Sequence, residues 1–283
     1  MKLSNHTLLI NMIIGLCKRT YGWPSTLKDL GYDVDWIEPK LINSEGRKVI
    51  PDLMLTSNKF LHSLVVECKG GKTLDKDQID RLSKLTVDSV RDKASVYNAR
   101  RLSLDVCFAS FKDYLGHILQ LLGESFPILV FSDTELKKHG KFKSRHLENA
   151  LSNSISLGGS PPTGYVPFTD EDDIDVVAMY VIQELVSMAL KSKKDDELKF
   201  DVDEVLSKIF PFWERTDEGA KKKLRNKVDS VIRQIILRKL KHRYLEKIKG
   251  RPTWVAKPLQ AFKAECEKLL KDIKEQKRLE HFG

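Results

Sequence analysis

Two apolar runs that each carry an acidic residue place the tightest constraint on the fold of this chain. The first is Ile50-Pro51-Asp52-Leu53-Met54-Leu55 and the second is Leu64-Val65-Val66-Glu67-Cys68-Lys69. The turn-forming residues between them predict an antiparallel pair of strands. If the turn is centred near residues 59 and 60, Asp52 and Glu67 lie equally far from it, so the pairing register places them opposite each other.

The same pattern brings charged side chains together in an apolar region. Side chains alternate between the faces of a strand, so Glu67 and Lys69 share a face while Cys68 points the other way. Charge is costly there unless it has a partner or a function. Adjacent carboxylates suit a hard cation such as Mg²⁺ or Mn²⁺. Such a site favours phosphodiester hydrolysis, with Lys69 orienting water or stabilising developing negative charge. The alternative is an ordinary hairpin in which Glu67 and Lys69 form a salt bridge.

Pro51-Asp52 followed by Glu67-Cys68-Lys69 resembles the signature of the PD-(D/E)xK nuclease superfamily, which includes restriction endonucleases and Holliday-junction resolvases. The resemblance implies an α/β fold with a restriction-endonuclease-like mixed sheet flanked by helices. It also implies metal ligands at Asp52, at Glu67 and at the backbone carbonyl of Cys68, with Lys69 near the attacking water.

Two further positions and the first predicted helix bear on this resemblance. Gln78 resembles the glutamine that several branches place on the following helix, which implies a contact with substrate or water. Many branches also have an acidic residue on the first helix, whereas residues 1–20 here contain none. Leu82 stands where one branch has a tyrosine. These positions do not select a branch.

The order of predicted elements over residues 1–151 favours one α/β domain: a helix, a three-stranded meander, and then helix, strand, helix, strand. The predicted helices are Ser4 to about Lys18, Asp75 or Asp77 to about Val90 and Lys112 to Leu122, and the predicted strands are Val34–Ile42, Val49–Leu55, Phe60–Glu67, Leu104–Ser110 and Phe126–Ser132.

Residues 152–168 are rich in glycine, serine and proline, which predicts a linker between two domains. The second domain, 169–283, is predicted to be mostly α-helical and winged-helix-like. Its expected elements are a helix from Thr169 or Asp170, helices at Val202–Ile209, Asp217–Lys241 and Pro258–Glu280, and two short strands within Tyr244–Val255.

The positive charge of the chain is concentrated in one segment. The net charge is +9, but residues 221–260 contain 14 basic and 2 acidic residues, a local excess of +12. Nucleic acid is a natural partner for such a segment because each neutralised phosphate releases counterions. An anionic membrane surface or plain solubility is the alternative. The predicted nucleic-acid-binding residues are Lys222, Lys223, Arg225, Lys227, Lys247, Lys249 and Arg251.

Several classes of protein are disfavoured. The apolar run Leu8–Leu16 contains Asn11 and is far shorter than the ~20 residues of a membrane span. No cleavage-site pattern follows it, so a cytoplasmic location is expected. The four cysteines are scattered without a CxxC pair, which predicts buried free thiols and neither a zinc site nor a disulfide framework.

The sequence therefore predicts a two-domain, metal-dependent DNA endonuclease acting on duplex DNA. Family analogy favours a restriction or genome-defence role, followed by recombination or transposition. It also allows a homodimer or a partner protein in a defence complex. The different-class alternative is a non-catalytic DNA-binding regulator or subunit.

Overall fold

The computed structural model describes residues 2–192, 196–240 and 243–280, with side chains described up to residue 276. Lys241, the predicted end of the basic helix, lies outside these residues. The chain divides into two compact units. We call them the N-terminal unit, formed by Ser4–Val166 and Arg215–Ala220, and the C-terminal unit, formed by Met1–Leu3, Pro167–Glu214 and Lys221–Gly283.

The N-terminal unit is a mixed α/β structure. Its helices are α1 Asn5–Leu16, α2 Thr26–Asp29, α3 Lys76–Ser83, α4 Val87–Arg91, α5 Leu115–Leu122 and α6 Arg145–Ala150. Its strands are β1 Tyr32–Ile37, β2 Leu41–Ile42, β3 Lys48–Val49, β4 Leu53–Ser57, β5 His62–Lys69, β6 Ser103–Phe111, β7 Ile128–Phe131, β8 Glu135–His139 and β9 Ile155–Ser156. Seven of these described strands form a sheet in the order β1-β4-β5-β6-β7-β8-β9, and β2 pairs with β3 separately.

The register between β4 and β5 fixes the geometry of the later site. Leu53 pairs with Val66 in an antiparallel ladder. Continuing this register by one residue places Asp52 opposite Glu67, which is the register predicted from the sequence. Beyond β5 the sheet becomes parallel, since β5 pairs with β6 and β6 with β7 in the same direction.

The apolar core covers the face of the sheet that also carries Glu67 and Lys69. Val65 on β5, Phe108 on β6 and Ile128 on β7 are fully buried together with Leu82 of α3 and Ile118 of α5. Burial of each such side chain contributes roughly 1.5–3 kcal/mol. Helix α1, whose N-cap Ser4 accepts a hydrogen bond from the Thr7 amide as predicted, packs against β5 and β6. The site is therefore held by rigid, well-packed elements.

Three predicted elements are interrupted. The strand predicted at 34–42 breaks at Glu38, whose φ of 47° is left-handed, and at Pro39. The strand predicted at 49–55 separates into β3 and β4 around Pro51, which has no amide hydrogen for a ladder. The helix predicted from Asp75 to Val90 consists of α3 and α4, because Thr86 and Ser89 form a capping box that starts a new helix.

The structure also differs from the predicted linker at 152–168. Strand β9 lies in that segment and pairs with β8. Further on, the amides of Tyr165 and Val166 both donate to the Asn11 side-chain oxygen at 2.9 Å. The N-terminal unit therefore extends to Val166, and β8, α6 and β9 are elements that the sequence pattern did not predict.

The C-terminal unit is predominantly helical. Its elements are α7 Ile174–Lys191, β10 Leu198–Phe200, α8 Val202–Ile209, the part after residue 220 of α9 Glu218–Val231 with a π-helical continuation Ile232–Leu237, β11 Leu245–Lys247, β12 Trp254–Ala256 and α10 Leu259–Glu280. The strands form an antiparallel sheet in the order β10-β12-β11. Helix α7 begins later than the predicted Thr169 or Asp170, because the Asp172 carboxylate accepts the Thr169 amide at 2.7 Å in a turn. Strand β10 was not predicted.

All four cysteines are free and buried, as expected from their scattered positions. Within the described ranges, no helix combines the length and apolar character needed to cross a membrane.

Candidate active site

Asp52 lies immediately before β4 and is held by two contacts. Its Oδ2 accepts a hydrogen bond of 2.6 Å from the backbone amide of Cys68. Its Oδ1 lies 2.9 Å from Nε2 of His6, which stands at the start of α1. Both side chains are only slightly exposed, at 12% for His6 and 11% for Asp52. Strand β5 and helix α1 thus fix the carboxylate from two directions.

Glu67, which is 3% exposed, is the most buried carboxylate of the group. Its Oε1 accepts from Gln78 Nε2 at 2.7 Å and lies 2.7 Å from Lys69 Nζ. Lys69 Nζ also donates to Gln78 Oε1 at 3.4 Å. The other oxygen, Oε2, is buried and has no hydrogen-bond partner among the described residues. An orphaned buried carboxylate oxygen needs an explanation, such as an ion that binds there.

The electrostatics of this group reflect its crowding. Burial and the adjacent Asp52 carboxylate raise the pKa of Glu67 to about 8, against the opposing attraction of Lys69. Burial disfavours the charged form of Lys69, but the Glu67 carboxylate outweighs it and raises the lysine pKa above its ordinary value. One ammonium therefore faces two carboxylates in a largely buried environment.

The chain after β5 is fixed by α1 and by the end of β6. The Asn5 side-chain amide donates to the Gly70 carbonyl at 3.2 Å and to the Tyr114 hydroxyl at 3.1 Å. The Ser110 hydroxyl donates to the Lys69 carbonyl at 3.1 Å. A Cβ at position 70 would lie 2.4 Å from the His6 backbone nitrogen, so only glycine allows α1 to approach this closely.

Of the predicted site residues, Glu67, Lys69 and Gln78 form one hydrogen-bonded group. Asp52 is tied to the same strand through the backbone amide of Cys68, whose thiol is buried with a pKa raised well above the ordinary value by burial. His6 was missed. The sequence signal for it is its position: His6 is a polar, potentially charged side chain in the first turn of α1, the helix that contains no acidic residue.

The donor set fits a hard cation. The carboxylates of Asp52 and Glu67 provide oxygen ligands of the kind that Mg²⁺ prefers, and Glu67 Oε2 has no other partner in the described part of the chain. Among the described residues, no three or more His, Cys, Asp or Glu side chains form a ready-made metal cluster. Remaining ligands would therefore have to come from backbone oxygen, water or substrate.

Comparison with known proteins identifies the region that contains this site. A family model described as the MJECL32 domain matches residues 5–166, more than half of the chain. The chain belongs to the MJECL32 domain family. Every residue of the site lies inside the MJECL32 domain. A second model, described as a domain of unknown function (DUF8601), matches residues 170–282.

One curated relative, "Uncharacterized protein MJECL32" of Methanocaldococcus jannaschii, is 26% identical over 262 residues. The match covers 83% of this chain and 58% of the relative, so the chain spans little more than half of that protein's length. No solved structure matches the chain.

The predicted nucleic-acid-binding residues divide into two groups. Three are exposed, with no ion pair seen among the described residues: Lys222 on α9, and Lys249 and Arg251 in the turn between β11 and β12. The other four have acidic or carbonyl partners: Lys223 lies 3.4 Å from Asp170, Arg225 2.6 Å from Asp203, Lys227 3.1 Å from the Asp170 carbonyl and Lys247 3.3 Å from Asp229. The local charge excess is therefore partly neutralised within the C-terminal unit.

Proposed function

We propose that this protein is a metal-dependent nuclease that hydrolyses phosphodiester bonds of DNA. The observation that carries the proposal is the buried pair of carboxylates, Asp52 and Glu67, with one unpartnered oxygen and Lys69 2.7 Å away. Such a pair is costly without a ligand, and its residue types match hydrolysis assisted by a metal ion and an ammonium group.

Asp52, Glu67 and the Cys68 carbonyl would hold Mg²⁺ or Mn²⁺, which when bound polarises a phosphate and lowers the pKa of water. Lys69 would orient the attacking water or stabilise charge that develops on the phosphate. Gln78 holds both Glu67 and Lys69, which keeps the ammonium directed at the carboxylate. His6 fixes the orientation of Asp52 through their 2.9 Å contact.

The order of elements supports a restriction-endonuclease-like fold for the N-terminal unit. A helix precedes a three-stranded antiparallel meander, and the strand that carries Glu67 and Lys69 then pairs in parallel with the strand after the next helices. This is the arrangement that the PD-(D/E)xK resemblance implies.

The C-terminal unit supports a winged-helix role in binding duplex DNA. Strand β10 separates α7 from α8, α9 follows, and the β11–β12 hairpin forms the wing. Helix α9 would lie in the major groove while Lys249 and Arg251 in the wing contact phosphates. Restriction or genome defence is the setting we propose, with DNA and a second copy or a defence partner protein as binding partners.

A second candidate is DNA binding without cleavage, as a regulator or an inactive subunit. The observation that favours it is the contact between Lys69 and Glu67, which resembles a closed ion pair. Metal dependence separates the two candidates, because only the nuclease requires Asp52 and Glu67 to bind an ion and Glu67 to loosen its contact with Lys69.

The test uses the full chain with supercoiled plasmid, linear duplex and single strands, each with EDTA, Mg²⁺ or Mn²⁺. We expect metal-dependent cleavage that is lost in Asp52→Asn and Glu67→Gln. The matched control is Asp88→Asn on α4, an exposed carboxylate outside the site, which should cleave like the wild type. Cleavage that survives in both site variants, or DNA binding without cleavage under any metal condition, would overturn the proposal.

A further inference from the structure

A groove of about 200 Å³ opens on the sheet of the N-terminal unit, between α5 and strands β7 and β8. Its apolar lining residues are Leu115 and Val130. Its charged lining residues are three lysines, Lys112, Lys137 and Lys138, and one carboxylate, Glu135. None of these residues belongs to the group around Glu67.

Strand register places this groove beside the candidate centre. Lys69 pairs with Ser110, Ser110 with Val130, and Val130 with Lys137, so the four residues form one row across the sheet. Paired residues project to the same face, which means that the groove and Lys69 share a face of the sheet. Three strand spacings of about 4.8 Å separate Lys69 from Lys137, a distance of roughly 14 Å between their backbones.

The groove retains free positive charge. Lys112 is exposed and has no ion pair among the described residues. Lys137 lies 2.5 Å from Glu135, whose pKa is lowered first by the hydrogen bond from Lys137 and further by the charge of Lys112. Lys138 is held by Glu148 at 2.5 Å. Lys112 is thus the lining cation best placed to meet an anion, while Lys137 is held by Glu135 in the lining of the same groove.

We infer that this groove binds the nucleic-acid strand that flanks the scissile phosphate, with Lys112 and Lys137 contacting its phosphates. The inference rests on the proposed nuclease function and adds a substrate-positioning surface to it. The volume lies below the roughly 300 Å³ at which small-molecule pockets begin, which favours one part of a polymer over a whole small ligand. A separation of about 14 Å corresponds to roughly four steps of a duplex strand, at about 3.4 Å per step.

The experiment compares the wild type with Lys112→Gln/Lys137→Gln. Lys268→Gln/Lys271→Gln removes the same charge from α10 and serves as the control. Affinity for a fluorescent duplex is measured by anisotropy in EDTA across a salt series. Each phosphate contact contributes about 0.9 to the slope of log affinity against log salt. We therefore expect the slope of the groove variant to fall by about 1.8. With equal affinities at 1 M salt, the groove variant should bind the duplex roughly 60-fold more weakly than the wild type at 0.1 M salt, one decade lower.

A second arm uses a dinucleotide and inorganic phosphate as competitors. Neither spans the distance from Lys69 to the groove, so both should compete equally against the wild type and the groove variant. If inorganic phosphate competes with the duplex for the wild type but not for the groove variant, the groove is a site for small anions. That result would overturn the inference that it binds a nucleic-acid strand. The inference is overturned as well if the plots of log affinity against log salt coincide for the wild type and the groove variant. A wild type that neither binds nor cleaves nucleic acid would instead refute the proposed function itself.

Discussion

Replacing Glu67 with glutamine should stabilise the metal-free protein at neutral and alkaline pH. Glutamine mimics the protonated carboxyl, so the variant removes a buried charge without leaving a cavity. The folded protein holds the Glu67 proton up to about pH 8, since burial and Asp52 raise its pKa from 4.5. The unfolded chain releases the same proton near pH 4.5, which links folding to proton binding.

The sign and size of the effect follow from this difference. Because the folded-state pKa is the higher one, the stability contributed by Glu67 is complete below pH 4.5 and is lost as pH rises to about 8. Each pH unit in that window is worth about 1.4 kcal/mol, so the wild type should lose roughly 5 kcal/mol relative to the variant. Lys69, with its raised pKa, remains charged throughout the window.

The assay is urea denaturation in EDTA from pH 5 to 8.5, with hydrogen exchange of β5 to locate the effect in the N-terminal unit. Wild type and Glu67→Gln should agree near pH 5 and diverge as pH rises. Mg²⁺ at 100 times its dissociation constant should raise the free energy of unfolding of the wild type by about 2.7 kcal/mol. It should leave that of the variant unchanged. Parallel curves across the whole pH range would refute the reasoning.

Three further outcomes are expected. His6→Ala should weaken metal affinity in calorimetric titration and slow cleavage, whereas a structural role alone would leave metal affinity unchanged. Gly70→Ala should cost about 1–3 kcal/mol in urea denaturation because its Cβ meets α1 backbone at 2.4 Å, while Gly71→Ala, with nothing within 4 Å, should not. Asp105→Ala should cost about 1–3 kcal/mol in the same measurement, because it removes the acceptor of the Lys143 and Ser144 amides and the buried partner that lies 3.2 Å from His62.

The centre of the site was predictable because it depends on local rules. Side-chain alternation and an antiparallel turn suffice to bring Asp52, Glu67 and Lys69 together, and the observed β4–β5 register agrees with both. Gln78 follows because α3 begins soon after β5, capped by Asp75. These contacts span few residues, so the periodicity of the sequence determines them.

The remaining parts depend on contacts between distant segments. His6 reaches Asp52 across 46 residues, and Asn11 holds Tyr165 and Val166 across more than 150. Such contacts leave no periodic signal. Strands β9 and β10 contain only two and three residues, which is too short for an alternating pattern to be recognised.

Another ion pair in the N-terminal unit provides a comparison for Glu67 and Lys69. Lys18 lies 2.7 Å from Asp33, the same distance that separates Lys69 from Glu67. Burial would raise the pKa of Asp33, but the hydrogen bond and charge of Lys18 outweigh it and lower that pKa. The pKa of Glu67 rises to about 8 despite its lysine, because it is more deeply buried and adjoins Asp52. An ion pair kept for stability would resemble Asp33 and Lys18. At Glu67 the single ammonium of Lys69 does not offset burial and the Asp52 charge, and a divalent cation between the two carboxylates would supply the missing positive charge.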